Sequence, residues 1–423
     1  MVMDVIDYCK KFKSVFIYGS GIYGRMIYLY LQENGVKVRG FIVSEYKSDV
    51  REVLGCSVFD KKVLARLDNN QGIIIALNKK FSMEVESSLK EFNICDYYKL
   101  DDESVVEELL LKLKFRIKYP TRKNIIPLIY HRVGDIGIDS RKLSIDKILF
   151  TNQIRYLRDN YKIIRADEEW NDNESTSIVI TFDDGYYDFY YEVLPIIEKL
   201  KVPVTIFIST MNIDLNNELW GDILEQLIFN TKKTCFTFRN EKYKMMFHED
   251  KIHVMFDIRN ILKNTNSSAR NAMLSELKDC LNVNYSPRPS NRIMTSAEIK
   301  QCSQSPYVTI GAHTESHCSL AFEDTLRQYD EMNNSKQVLE KITGRKVELF
   351  AYPYGMKEDY DGKTIKIAKE IGFKKIFSAC PGMTNVSYVN GEIPRNSISQ
   401  CKDMNETIRR LKFIETVYAD DYI

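Results

Sequence analysis

Two short stretches hold side chains suited to hydrolytic chemistry. Thr181-Phe182-Asp183-Asp184-Gly185 ends an apolar run with two adjacent carboxylates and a glycine. Such neighbours can divide the work, one holding a cation and the other accepting a proton. Taken alone, the motif reads as an ordinary turn after a strand. The second stretch, Ala312-His313-Thr314-Glu315-Ser316-His317, follows the apolar run at 307–311 and carries two of the chain's five histidines. On one helical turn, side chains four apart share a face. Two imidazoles there, with a carboxylate from another strand end, could hold one metal ion. Three protein ligands and an open fourth position are the pattern of a catalytic zinc site. Alone, the pair fits two partly exposed histidines; beside Asp183-Asp184 it points to a metal centre.

These residues need strands to carry them. SIVITF (177–182), YVTIG (307–311) and ELFAY (348–352) are apolar runs of strand length, as are IIPLIYH (125–131), VTIFI (204–208) and KIF (375–377). Helical stretches near 324–343 and 362–371 separate the later ones. Strands alternating with helices predict a parallel α/β architecture, closed as a distorted (β/α) barrel whose site lies at the C-terminal strand ends. The alternation breaks between 208 and 294. Residues of about 210–293 therefore read as a mainly helical insertion, a cap or an oligomer contact. Trp220 opens it, as a core anchor or a sugar-stacking ring, and the YYDFYY run at 186–191 should follow the first motif on a helix.

The 423 residues suggest two or three domains. Lys+Arg number 60 and Asp+Glu 59, a balance that argues against a dedicated nucleic-acid binder. No apolar run reaches the 18 or more residues of a membrane span. The first residues lack the pattern of an export signal. The nine cysteines are scattered and odd in number, which fits reduced thiols. The expected location is the cytoplasm.

The ordered motifs TFDDG, HTESH and Phe350-Ala351-Tyr352-Pro353-Tyr354-Gly355 resemble those of the polysaccharide deacetylase family (carbohydrate esterase family four, with its NodB-type domain). IIPLIYHRV looks like the first barrel strand of members that begin with a Tyr-His pair, and IPRNSI (393–398) like the late strand with its Pro-Arg. The resemblance spans roughly residues 120–400. It implies Asp183 as general base and Asp184, His313 and His317 as ligands of Zn2+ or another divalent metal. It implies that Thr314 braces the His loop by hydrogen bonding. The backbone N–H of Tyr354 would meet the oxyanion, and Arg395 would orient Asp183 and keep it ionised. The chain departs from the family in having no histidine after His317, where many members place the general acid. His131, at the end of the first barrel strand, is the alternative acid, or else a structural histidine.

The first 115 residues read as a small Rossmann-like α/β domain. Gly19, Gly21 and Gly24 form GxGxxG after the strand at 14–18 and at the start of a helix from about 22 to 33. Such a turn suits a phosphate at a helix N-terminus. Glu45, at the end of the second strand, could hold a ribose. The domain either binds a nucleotide or nucleotide sugar, or packs and dimerises without a ligand. Residues 101–115 read as a helix, 116–124 as a linker and 125–423 as the barrel domain.

The function expected is removal of an N-acetyl group from a sugar in surface-glycan biosynthesis. The substrate would be nucleotide-linked, lipid-linked or an oligosaccharide. Other readings are a metal hydrolase for another acyl group, a deformylase or esterase, and a degenerate barrel serving as a nucleotide-binding regulator.

Overall fold

The structure, a computed structural model, describes residues 2–44, 51–68, 70–77, 79–100, 109, 112–113, 124–170, 175–384 and 392–418. The expected linker at 116–124 and helix at 101–115 lie almost wholly outside those residues. The chain forms two compact units, Met1–Arg122 with Asn405–Ile423, and Lys123–Met404. The last helix, read from sequence as a tail of the barrel domain, thus belongs with the first unit.

The first unit is an open α/β sheet. Its strands are β1 (Ser14–Tyr18), β2 (Val38–Val43), β3 (Glu52–Val53), β4 (Cys56–Asp60), β5 (Gln71–Ala76) and β6 (Tyr98–Leu100), in the order β3-β4-β2-β1-β5-β6. All pairings are parallel except β3 with β4. Every β1 side chain is buried, as an apolar strand covered on both faces requires. Helix α1 (Ile22–Glu33) follows β1 through the GxGxxG turn. A Cβ on Gly24 would lie 1.9 Å from the Gly19 carbonyl oxygen, so this glycine lets the helix approach the strand.

The second unit is a curled parallel sheet. Its strands are β7 (Ile125–Tyr130), β8 (Ser177–Phe182), β9 (Val204–Ile208), β10 (Val308–Ala312), β11 (Leu349–Ala351), β12 (Lys375–Phe377) and β13 (Asn396–Ser397), in the order β12-β11-β10-β9-β8-β7-β13. Ile393 bridges Phe377 of β12, while Asn396 and Ser397 pair with Leu128 and Ile129 of β7. One short segment thereby touches both ends of the sheet, with Pro394 and Arg395 between the two contacts. Ring packing among Tyr130, Phe150, Phe182 and Phe189 fills one side of β7 and β8.

The insertion has a core of its own, including Leu224, Leu227, Met255, Ile258, Leu262 and Leu277. It holds helices α2 (Trp220–Asn230), α3 (His248–Lys263) and α4 (Ser267–Leu281). It is less purely helical than expected. Cys235–Phe238 and Glu241–Lys244 form an antiparallel hairpin, turned by Arg239 and Asn240 at φ +50° and +67°. Two successive left-handed residues are what a tight hairpin needs. Among the described residues, no helix is long and apolar enough to cross a membrane.

Candidate metal centre and active site

Four strand ends, two on either side of β9, supply the site. Asp183 and Asp184 follow β8, His313 follows β10, Tyr354 lies three residues past β11, and His131 follows β7. The turn after β8 is tight. Asp184 stands at φ +75° and Gly185 at +89°, and a Cβ on Gly185 would come within 2.7 Å of Ile208 Cγ2. A left-handed aspartate is uncommon and persists only where its surroundings hold it. Here Asp183 N–H donates to Tyr130 O and Ser209 N–H to Asp184 O, fixing the turn to both flanking strands.

Asp184, His313 and His317 each offer a ligand atom, all within 4.8 Å of one another. Asp184 Oδ1 is 3.0 Å from His317 Nε2 and 3.5 Å from His313 Nε2. Ligands about 2.1 Å from a tetrahedral ion are separated by roughly 3.4 Å, so the spacing suits one ion. Oδ1 is buried and has no hydrogen-bond partner, which also fits a ligand atom. Both rings are fixed at their other nitrogen. His313 Nδ1 lies 2.7 Å from Ala351 O, and His317 Nδ1 3.2 Å from the Tyr354 hydroxyl. Such contacts set which nitrogen is left for a metal. Burial lowers the pKa of His317 more than Asp184 raises it, favouring the neutral, ligating form. Burial pushes the Asp184 carboxyl up, but His317 and His313 outweigh it and hold the group well below the usual range.

The histidine pair does not sit on a helical turn. Residues 313–319 are irregular, and Thr314 and His317 take φ values of +63° and +52°. The Thr314 hydroxyl, expected to brace this loop, is buried and has no hydrogen-bond partner among the described residues. Other groups hold the backbone. Glu331, wholly buried, accepts from Glu315 N–H and Ser316 N–H at 2.9 Å each and from Ser316 Oγ at 2.6 Å. Trp220 Nε1 and Tyr354 Oη each donate to His317 O at 3.1 Å. Arg270 Nη2 donates to Ser316 O at 3.1 Å. Ser209 Oγ donates to His313 O at 2.9 Å. Tyr354 belongs to the third motif and Trp220 opens the insertion, but Glu331, Arg270 and Ser209 lie in no motif. These last three are lone polar residues on other elements, so only the fold reveals them.

Asp183 faces the same space but is held differently. Arg395 Nη1 and Nη2 donate to its two oxygens at 2.6 and 2.7 Å. Arg395 Nε donates to Ser378 O at 2.7 Å, and both residues are buried. Burial raises the Asp183 carboxyl, yet the Arg395 charge prevails and keeps it below its ordinary value. Asp183 Oδ2 is 3.9 Å from His313 Nε2.

A cavity of about 350 Å³ opens onto Asp183, Asp184, His313, His317 and His131. His131 makes no hydrogen bond among the described residues, and burial lowers its pKa despite the nearby Asp184 and Asp183. Tyr354 lines the cavity at φ +60°, and its N–H has no partner among the described residues. The insertion supplies Trp220, Phe256, Arg259 and Lys263 to the walls. Trp220 is 6% exposed, part of the insertion core, and bonded to the His loop, so it anchors as well as lines. The expected helix at 186–191 begins with a turn. Asp188 there is buried and takes two hydrogen bonds from Arg132.

In the first unit, Gly19 and Gly21 lie in the β1–α1 turn and Gly24 in the first turn of α1. Gly19 stands at φ +110°, and a Cβ on Gly21 would meet open space. Glu45 lies outside the described residues.

Residues 171–376 match the family model described as polysaccharide deacetylase. Several solved structures are similar to the chain. The Streptococcus pyogenes deacetylase PplD in complex with acetate shares 17% identity, with 70% of this chain and 99% of that one covered, at TM-score 0.40. BC0361, a polysaccharide deacetylase from Bacillus cereus, shares 18%, with 69% of each chain covered, at TM-score 0.43. IcaB from Ammonifex degensii shares 17%, with 69% and 98% covered, at TM-score 0.41. No curated protein matches the chain.

Proposed function

We propose, from the match of residues 171–376 to the polysaccharide deacetylase family model, that the chain is a metal-dependent hydrolase removing an N-acetyl group from a sugar. The observation that carries this reading is the cluster of Asp184, His313 and His317 beside an Arg395-held Asp183. A divalent ion bound there, with zinc the fitting choice for two imidazoles and a carboxylate, supplies Lewis acidity to a carbonyl and acidifies a water. Asp183, kept ionised, accepts the water's proton. The free N–H of Tyr354 donates to the developing oxyanion. As the C–N bond breaks, the proton goes to the amine nitrogen, directly from Asp183 or through His131. Among the described residues His131 has no hydrogen bond that would commit it to a structural role.

The substrate is an N-acetylated sugar of surface-glycan assembly in the cytoplasm, and the first unit binds a nucleotide or nucleotide sugar at the Gly19–Gly24 turn. Gly21→Val leaves the turn's packing intact, because its Cβ would meet open space, and should abolish nucleotide binding. Unchanged nucleotide affinity in that variant removes the first unit's role. The main test is acetate release from N-acetylated nucleotide sugars and short oligosaccharides, with added zinc and with chelator. Chelator-sensitive release supports the hydrolase. Absence of both release and bound metal refutes it.

A further inference from the structure

The charged groups lining the cavity are nearly all paired. Asp183 is matched by Arg395, and Asp184 by the two imidazoles. Arg141 contacts the buried Asp222, and Lys263 Nζ lies 2.7 Å from Asp359 Oδ1. Arg259 is the exception. Among the described residues its guanidinium has no hydrogen bond and no carboxylate within ion-pairing distance. It rests 5.3 Å from the centre of the Tyr354 ring, whose hydroxyl touches His317. Phe256, Arg259 and Lys263 fall three and four residues apart on α3, so one helix face overlooks the cavity. This cation–π contact leaves the guanidinium N–H donors available to a ligand.

We propose that Arg259 binds an anionic group of the substrate, so that the acylated sugar carries a phosphoryl or carboxylate oxygen within reach of the scissile amide. A guanidinium matches either group with two parallel hydrogen bonds. A neutral glycan would leave this cation without a partner in a half-enclosed cavity. The inference rests on the hydrolase reading only for where the amide sits.

The test is calorimetric titration of the full-length, zinc-loaded protein with glucosamine 1-phosphate, muramic acid and methyl glucosaminide, none of which has an acetamide to cleave. A hydrogen-bonded charge is worth about 1.5–3 kcal/mol, or roughly 10- to 100-fold in affinity. The wild type should prefer the phosphate or the carboxylate by that factor over the neutral sugar, and the stronger ligand tells the two anions apart. Arg259→Met should erase the preference while leaving zinc content and the melting temperature unchanged. Arg259→Lys should keep part of it. Equal binding of charged and neutral sugars, a preference that survives in Arg259→Met, or no binding of any of the three overturns the proposal. Acetate release from the N-acetylated counterparts is read alongside. Release without charge preference keeps the deacetylase and removes the Arg259 site. Charge preference without release keeps the site and removes the deacetylase.

Discussion

Breaking the Asp183–Arg395 pair should cost more than either residue's hydrogen bonds suggest. Asp183 is 3% exposed and Arg395 1%, so removing one partner strands a charge that little solvent can compensate. For buried pairs that loss is about 3–5 kcal/mol. At roughly 2 °C per kcal/mol for a unit of this size, Arg395→Met should lower the midpoint by about 6–10 °C. Asp183→Asn should do the same, since it strands the guanidinium. The double variant leaves no charge behind. It forfeits mainly the Arg395 bonds to Ser378 O and Thr181 Oγ1, about 1–3 kcal/mol in all. The two single losses should therefore exceed the double by at least about 3 kcal/mol. Denaturant unfolding of the four proteins measures the coupling. Additivity within about 0.5 kcal/mol would mean the two groups act independently, and the account of Asp183 as a carboxylate held ionised by Arg395 would fail.

Other outcomes follow from the same geometry. Asp184→Asn should abolish zinc binding, measured by metal analysis, whereas Asp183→Asn should keep the metal and lose turnover. Glu331→Gln weakens the three bonds that shape the His loop and should reduce zinc affinity about 10- to 100-fold in a chelator competition. His131→Ala should lower kcat by roughly 10²- to 10⁴-fold if its imidazole passes the proton; unchanged turnover assigns the whole transfer to Asp183. Lys375 lies 4.1 Å over the Trp170 ring and donates to Ala166 O at 2.7 Å, and burial lowers its pKa to about 8. The unfolded chain then holds more protons between about pH 8 and 10.4, so stability contributed by this site rises with pH across that window. The difference in unfolding free energy between wild type and Lys375→Met should change across it; parallel curves would contradict the assignment.

The sequence made the strand-end motifs legible because each is local. An apolar run stops and chemistry-bearing residues follow within a few positions, as at Asp183-Asp184 and at His313. Arg395 is 212 residues from its partner and was reachable only through a family resemblance. The loop that carries His317 was misread as helical because i, i+4 spacing is shared by a helix and by a loop with two left-handed residues. Its supports, Glu331, Arg270 and the Tyr354 hydroxyl, leave no periodic trace. The hairpin at 235–244 was hidden by shortness and by a polar outer face. The membership of the last helix depends on what its apolar side meets, which composition does not encode.

That last helix, Met404–Val417, also bears on how the protein is made. It buries Leu411, Ile414 and Val417, and the Val417 carbonyl accepts from Arg25 in the first unit's GxGxxG helix. Residues on either side of the second unit therefore complete one module. At about 5–20 residues per second, the ribosome needs roughly 15–55 seconds to travel from residue 122 to residue 405. The N-terminal sheet spends that interval without its closing helix, while the second unit emerges whole. The order of maturation is the reverse of the order of synthesis: the segment translated first is finished last.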